Sequence, residues 1–271
     1  MTMIVSHSME HRDTWVIIQI TDTHLMGQAE KEFVQMNPEQ SFHAVIQQIL
    51  LQHPHIDAII HTGDLAQEPE QITYQRYLSY MQGLGIPFFQ VPGNHDDLDY
   101  FPFQQSYHEP GIVELGNWCL FLLNSAVDGR VDGHISQTQL KALEQQLQQH
   151  AHQHVLIACH HHPFEMRSRW IDQHKLKNTP ELTEILAQHS NIQAVICGHV
   201  HQDSIHIWNN IQFLSTPSTS VQFKPFSDQF ALDEQAPGYR ILKLHSNGQL
   251  DTQVHRLKDF HHRIETEISG Y

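Results

Sequence analysis

A chain of 271 residues is long enough for one large α/β domain or two small ones, and 39% hydrophobic residues suffice to bury a sizeable core. Fifteen basic against thirty acidic residues give a formal net charge of −15, which argues against a nucleic-acid groove, where Lys and Arg must neutralise phosphates. A small phosphorylated ligand is still compatible with this charge, because bound cations can supply the local positive field. No stretch reaches the roughly 18–20 apolar residues that span a bilayer, so no membrane partner is expected. Met1 to Thr14 lacks the apolar core of a secretory signal. Cys119, Cys159 and Cys197 are an odd set without Cys-x-x-Cys spacing, and each lies in an apolar run. Buried reduced thiols, a reducing compartment and a cytoplasmic location follow as expectations.

Along the chain, a strand-like run over Trp15–Thr21 leads into Asp22-Thr23-His24. Glu39 to Gln52 reads as a helix with Phe42, Val45, Ile46, Ile49 and Leu50 on one face. Asp57–Thr62 is strand-like and runs into Gly63-Asp64, and Glu70 to Leu84 is a helix presenting Ile72, Tyr77, Leu78 and Met81. Pro87–Val91 precedes Gly93-Asn94-His95-Asp96, and Trp118–Asn124 is a further strand. Ser136 is placed to cap a helix through Gln149, with Leu140, Leu143 and Leu147 inward. His154–Cys159 leads into His160-His161-His162-Pro163. Thr179-Pro180-Glu181 starts a helix to about His189, and Ala194–Cys197 leads into Gly198-His199-Val200-His201.

Beyond that point the pattern becomes a meander of Ser204–Trp208, Ile211–Ser215, Tyr239–His245 and Leu250–Leu257, with hairpin turns at Asn209-Asn210 and Asn247-Gly248. The expected fold class is α/β: two sheets packed face to face, flanked by helices, with ligands collecting where strands end. Residues 1–14 are expected to form an N-terminal extension and 15–271 a single domain.

Histidine makes up 25 residues, so chance His pairs are expected, and His7, His11, His53, His55, His150, His152, His154, His261 and His262 sit in polar stretches as surface residues. The five ordered blocks differ, because each follows a β-branched or aliphatic run. Carboxylate, imidazole and amide oxygen together suit a hard-to-borderline divalent ion, and the number of ligands suits two ions sharing one. On an extended strand end, Asp22 and His24 point to the same side. Asp64 suits a bridging carboxylate between metals about 3.5–4 Å apart. Asn94 offers a neutral oxygen, and His199 and His201 can send their rings to neighbouring ions.

Two dications, two aspartates and a bridging hydroxide leave such a site near +1, suited to a singly charged phosphodiester. A water held between the ions is acidified towards neutrality. His95, beside Asn94, is placed as general acid or transition-state donor for the leaving alkoxide. Asp96 either orients His95 or caps the following turn. Phe223, Trp170 and Tyr239 offer faces for a base but fit packing better, and Lys224 fits an exposed surface position.

In their order, these blocks resemble the calcineurin-type metallophosphoesterase family over Asp22 to His201. The resemblance implies a metallophosphoesterase-type β-sandwich with a dinuclear metal site. Asp22, His24, Asp64 and His201 would hold one metal, and Asp64, Asn94, His161 and His199 the other. His161 is chosen from the three histidines because family members carry the ligand two positions before Pro. Leu214 to Pro225, Ala236-Pro-Gly-Tyr239, Ser269-Gly-Tyr271, Trp170-Ile-Asp172 and His174 resemble, more narrowly, the bacterial class III 3′,5′-cyclic AMP phosphodiesterases. That implies hydrolysis of cyclic AMP to 5′-AMP, control of the cellular cyclic AMP level, and iron or manganese as the ions. His24, Asp64, Asn94, His95 and His201 would also contact the nucleotide phosphate. A broader esterase acting on glycerophosphodiesters or nucleotides fits the metal blocks equally. A scaffold without catalysis fits poorly, since every ligand type is present. Metal identity and oligomeric state stay open.

Overall fold

The protein is described here by a computed structural model covering residues 2–4, 13–102, 107–258 and 260. His7, His11, His261, His262 and the Ser269-Gly-Tyr271 ending lie outside these residues. In chain order the first elements are β1 (Thr2–Ile4), β2 (Thr14–Ile20), α1 (Pro38–Gln52), β3 (Ala58–His61), α2 (Gln71–Gly83) and β4 (Phe88–Gln90). There follow β5 (Gly111–Leu115), β6 (Trp118–Leu122), α3 (Gln137–Gln149), β7 (His154–Ala158), α4 (Arg169–Asp172), α5 (Thr179–Leu186) and β8 (Ile192–Cys197). The last are β9 (Ser204–Trp208), β10 (Ile211–Ser215), β11 (Gln222–Phe223), β12 (Leu232–Asp233), β13 (Gly238–His245) and β14 (Leu250–Arg256).

The strands form a seven-stranded sheet in the order β1-β5-β6-β7-β8-β10-β9 and a five-stranded sheet in the order β14-β13-β2-β3-β4, with β11 and β12 paired separately. Parallel pairs (β2 with β3, β3 with β4, β6 with β7, β7 with β8) carry the site-bearing strand ends. Thr2–Ile4, within the stretch expected as an extension, pairs with β5 at the sheet edge.

Strand alternation explains why these runs are apolar on both faces. Ile17, Ile60, Leu120, Leu156, Ala158 and Ile196 meet in one core between the sheets. Their neighbours Phe121, Ile157, Cys159, Val195 and Cys197 pack outward with Leu140, Leu143, Leu147, Leu182 and Leu186 of α3 and α5. On the other side, Ile18, Ile20 and Ile59 pack outward with Phe42, Val45, Ile46, Ile49, Tyr77 and Met81 of α1 and α2. The result is helix, sheet, sheet, helix.

Caps set the helix starts. Asn37 accepts a hydrogen bond from the Gln40 amide at 2.8 Å, with Pro38 in the first turn, and Ser136 accepts from Gln139 at 3.2 Å. For α5 the N-cap is Asn178, and the helix ends at Leu186, short of the expected His189. Leu50 and Ile72, expected on inward faces, are 41% and 54% exposed. The buried stripes run through Phe42, Val45, Ile46 and Ile49 on α1 and Thr73, Tyr74, Tyr77 and Met81 on α2, each one residue away from them. All three cysteines are buried free thiols, and burial pushes Cys159 up to about 12. His53, His150 and His154 are less surface-like than expected, packing on Tyr239, Phe121 and Trp118 respectively.

Candidate metal centre

The five blocks meet at one rim of the sandwich, on loops that follow β2, β3, β4, β7 and β8. Strand β2 stops at Ile20, so Asp22 and His24 do not share a side by strand alternation. They turn in left-handed backbone instead, with φ of 51° and 49°. Asp64 (52°), His199 (69°) and His201 (50°) do the same. An L-residue held there costs roughly 1–2 kcal/mol. This strain is sustained by a ladder of backbone bonds, Asp22 N to Gly63 O at 2.9 Å and His24 N to Asp64 O at 3.0 Å. Two glycines are required by close approach. A Cβ on Gly93 would overlap Asp64 Oδ1, and one on Gly198 would overlap Thr21 Oγ1 and approach Asp22 Oδ2 to 2.7 Å.

One group gathers Asp22, His24 and His201, all fully or nearly buried. His201 Nε2 lies 3.3 Å from Asp22 Oδ1 and 3.2 Å from His24 Nε2. A second group lies around Asp64: His160 Nε2 is 3.3 Å from Asp64 Oδ2, 3.2 Å from Asn94 Oδ1 and 3.2 Å from His199 Nδ1. Asp64 Oδ2 also lies 3.8 Å from His24 Nε2, which places that carboxylate between the groups. Asp22, His24, Asp64, Asn94, His199 and His201 are thus brought together as the sequence suggested.

His161 lies within ligand reach of His160 and His199, and its ring nitrogens also meet Ser125 Oγ (Nδ1, 2.8 Å) and the Val131 carbonyl (Nε2, 3.1 Å). The residue facing Asp64 and Asn94 is His160. The chain bends beyond the end of β7 at Ala158, and these bends set His160 toward Asp64 and His161 toward Ser125. His162 stacks behind His199, centroids 5.5 Å apart, with Nε2 3.6 Å from Asp172 Oδ1.

The donor set fits cations. His24 Nδ1 bonds Gln67 Oε1 at 2.9 Å, His201 Nδ1 bonds the Val221 carbonyl at 2.7 Å, and His160 Nδ1 bonds the Thr62 carbonyl at 2.8 Å. Each of these contacts fixes the ring proton on Nδ1 and leaves the Nε2 lone pair facing the site. The Nε2 atoms of His24 and His201 then confront each other as two acceptors, and His160 Nε2 confronts two oxygens. A shared cation would satisfy such a set.

At His160 a proton competes with a cation for that place. Burial pushes His160 down, but the charge of Asp64 and its hydrogen bond outweigh burial and hold the ring at about 9. Burial favours neutral Asp64, yet His160 and then His95 hold it well below the usual carboxylate range. His24 is pushed down to about 3, chiefly by burial. Gln67 and the Thr62 and Val221 carbonyls carry no motif signal, and only the fold brings them to the rings.

His95 lies beside this centre. Its amide donates to Asp64 Oδ1 at 2.8 Å, and its ring meets that of His24 edge-on at 5.0 Å. Asp96 accepts from the amides of Leu65, Ala66 and Gly93 and from the Tyr74 hydroxyl at 2.9–3.1 Å. It therefore ties the second block to the third, and these bonds are to residues before it rather than to His95 or the following turn. Burial, then repulsion from Asp64, pushes Asp96 up to about 7.

A cleft of about 620 Å³ opens over the centre, walled by Trp170, Phe223 and Phe230. Phe223 stacks on His201, centroids 3.9 Å apart and planes 10° off parallel. Tyr239 is fully buried against His53 and His255, apart from the cleft, and Lys224 is exposed. Among the described residues no helix is long and apolar enough to cross a membrane.

A dinuclear-type cluster of Asp, Asn and His at the strand ends of a helix-flanked double sheet defines a metal-dependent phosphoesterase. Residues 16–203 match the calcineurin-like phosphoesterase family, and the chain belongs to it. Within that family it is 40% identical over 262 residues to the 3′,5′-cyclic adenosine monophosphate phosphodiesterase CpdA of Vibrio vulnificus, covering 94% of each chain. It is 39% identical over 259 residues to the enzyme of that name from Escherichia coli K12, again over 94% of both. Among solved structures it is similar in fold to purple acid phosphatase PPD1 from yellow lupin seeds, with a TM-score of 0.68 and 14% identity over 93% of this chain and 53% of that one.

Proposed function

We propose that this chain hydrolyses 3′,5′-cyclic AMP to 5′-AMP and so controls the cellular level of cyclic AMP. The observation that carries the substrate is the similarity to cyclic AMP phosphodiesterases along 94% of both chains. Asp22, His24, Asp64 and His201 would hold one divalent ion, and Asp64, Asn94, His160 and His199 the other. Two such ions supply the charge that draws in a phosphodiester and the acidity that turns water into a nucleophile. Iron or manganese is the proposed pair, as a mixed imidazole and oxygen set accepts either.

The chain's own residues do the rest. Asp64, fixed by the His95 amide, spaces the two groups, while Gln67, Thr62 and Val221 hold three rings in the tautomer that presents Nε2. Water oxygen adds to phosphorus as the P–O3′ bond breaks in line with it. His95 then delivers a proton to the departing 3′ oxygen, which would otherwise leave as an alkoxide. His24, Asp64, Asn94, His95 and His201 border the position of the phosphate. The three buried thiols support a reducing location, which we take to be the cytoplasm.

Metal analysis of purified protein, with cyclic AMP hydrolysis measured before and after chelation, tests this reading. Activity should vanish with the ions and return with iron or manganese. A much higher kcat/KM for a generic aryl diester than for cyclic AMP would replace the assignment with a broad phosphodiesterase.

A further inference from the structure

We propose that Asp228 reads the exocyclic amino group of the nucleobase and is the residue that sets preference for adenine over a 6-keto purine. The inference rests on the cyclic nucleotide reading above and extends it from the phosphate to the base. The cleft of about 620 Å³ is far larger than a phosphodiester needs, and it runs from Asp64, Asn94 and His95 to a rim of His174, Asp228 and Gln229. Phosphate chemistry fixes one end at the metal centre, so the nucleoside must occupy the remainder.

The wall between these ends suits a flat ring. Trp170 stands edge-on to Phe223 at 5.0 Å and to Phe230 at 5.1 Å, and both Trp170 and Phe230 are only partly buried. Aromatic faces bind any base by stacking and do not distinguish one purine from another. Discrimination needs a polar group with a single sense of hydrogen bonding. Asp228 is such a group, because an ionised carboxylate only accepts. Its side chain is exposed, and it forms no ion pair or side-chain hydrogen bond among the described residues.

A free carboxylate at the mouth of a cleft for an anionic substrate weakens binding by repulsion unless the substrate brings a donor to it. Adenine brings one, its 6-amino group, whereas guanine and hypoxanthine present a carbonyl oxygen at the same position. A carboxylate set against position 6 then meets a second acceptor, so it attracts the amino purine and repels the keto purine there, whose N1–H donor lies one ring position away.

The turn that carries Asp228 is held in place. The Ser227 amide donates to Ser168 Oγ at 3.2 Å, and Ser227 Oγ donates to the Gln229 carbonyl at 2.5 Å. The Ser168 amide in turn donates to Asp172 Oδ2 at 3.1 Å, and the Met166 amide to Asp172 Oδ1 at 2.7 Å. Asp172 thus fixes the loop before α4, and that loop fixes the turn. The carboxylate is presented from a set position.

The test compares kcat/KM for cyclic AMP and cyclic IMP, which differ at position 6 of the purine and in the hydrogen on N1, in the wild type, Asp228→Asn and Asp228→Ala. Taking the two substrates as a ratio within each protein cancels differences in folding and metal loading. The wild type should favour cyclic AMP. Each substitution should shrink that preference by about 10–100-fold, the worth of a hydrogen bond to a charged group. Asp228→Asn should shrink it most, because its amide can turn to donate to the keto oxygen. A wild-type preference that survives both substitutions within twofold overturns the role of Asp228. A wild type that hydrolyses bis(p-nitrophenyl) phosphate but shows no preference for cyclic AMP overturns the cyclic AMP reading itself, and this inference with it.

Discussion

His160 Nε2 points at Asp64 Oδ2 across 3.3 Å, while the adjacent His161 turns both ring nitrogens to Ser125 and Val131. On the proposed ligand set these neighbours have different duties. His160→Ala should lose the second ion and nearly all turnover, whereas His161→Ala should keep both ions with lowered stability, since it vacates a buried site. Metal content per chain by elemental analysis checks this. Two ions retained in His160→Ala would return the ligand role to His161.

His95 is proposed to protonate the leaving oxygen without holding an ion. His95→Ala should keep its metals yet lose roughly 10²–10⁴-fold in kcat on cyclic AMP, the usual worth of a positioned acid. The loss should shrink on a nitrophenyl diester, whose leaving group needs no proton. Equal losses on both substrates would remove His95 from that role.

Gly198 packs its bare Cα against Thr21 and Asp22. In Gly198→Ala the added methyl must push Asp22 away from the His199 amide, which bonds both its oxygens at 3.1 Å. Overpacking of this kind costs about 1–3 kcal/mol. The variant should melt several degrees lower and bind its ions more weakly. A melting temperature and metal affinity equal to wild type would show that the loop has slack.

His61 is fully buried, and its ring accepts the Gly63 amide at 3.3 Å and meets Thr23 Oγ1 at 3.2 Å. Burial, only partly opposed by Asp22, lowers it from 6.5 to about 4. The folded chain thus resists protonation that the unfolded chain accepts. The neutral ring's contribution is whole above pH 6.5 and is lost as pH falls towards 4, a change of about 3 kcal/mol over that window. Denaturation of His61→Gln between pH 7 and 4 should show a shallower acid dependence than wild type. Parallel curves for the two proteins would mean that His61 is not the group responsible.

Much of this was legible in the chain. The runs ending at Asp22, Gly63, Gly93, His160 and Gly198 carry apolar residues on both faces, which announces covered sheets, and the blocks announce divalent cations. The choice among the three histidines was not legible, because β7 ends at Ala158 and the bends that set His160 toward Asp64 lie beyond any strand period. Strand β5 escaped notice because five residues between Pro110 and Gly116 are too short to show a period. Trp170, Asp228 and Phe230 come together only through the folding of loops far apart in sequence. Arg240 was equally hidden. Within the strand-like run Tyr239–His245 nothing sets it apart, yet it is 1% exposed and bonds Asp203 Oδ1 at 2.6 Å and the Ser215 carbonyl at 2.8 Å.

The two sheets supply the centre from opposite sides, the five-stranded one through the loops after β2, β3 and β4 and the seven-stranded one through those after β7 and β8. Bound ions would therefore act as a clasp on a book. Its spine is at the other end, where Trp118 Nε1 donates to the His245 carbonyl at 2.8 Å. Unfastening the clasp should let the covers part at that margin alone. Amide protons of Thr62, Asp64 and His199 would then exchange faster on chelation, while those around Trp118 keep their wild-type rates. The metal pair, on this view, is a structural fastening as well as a chemical tool.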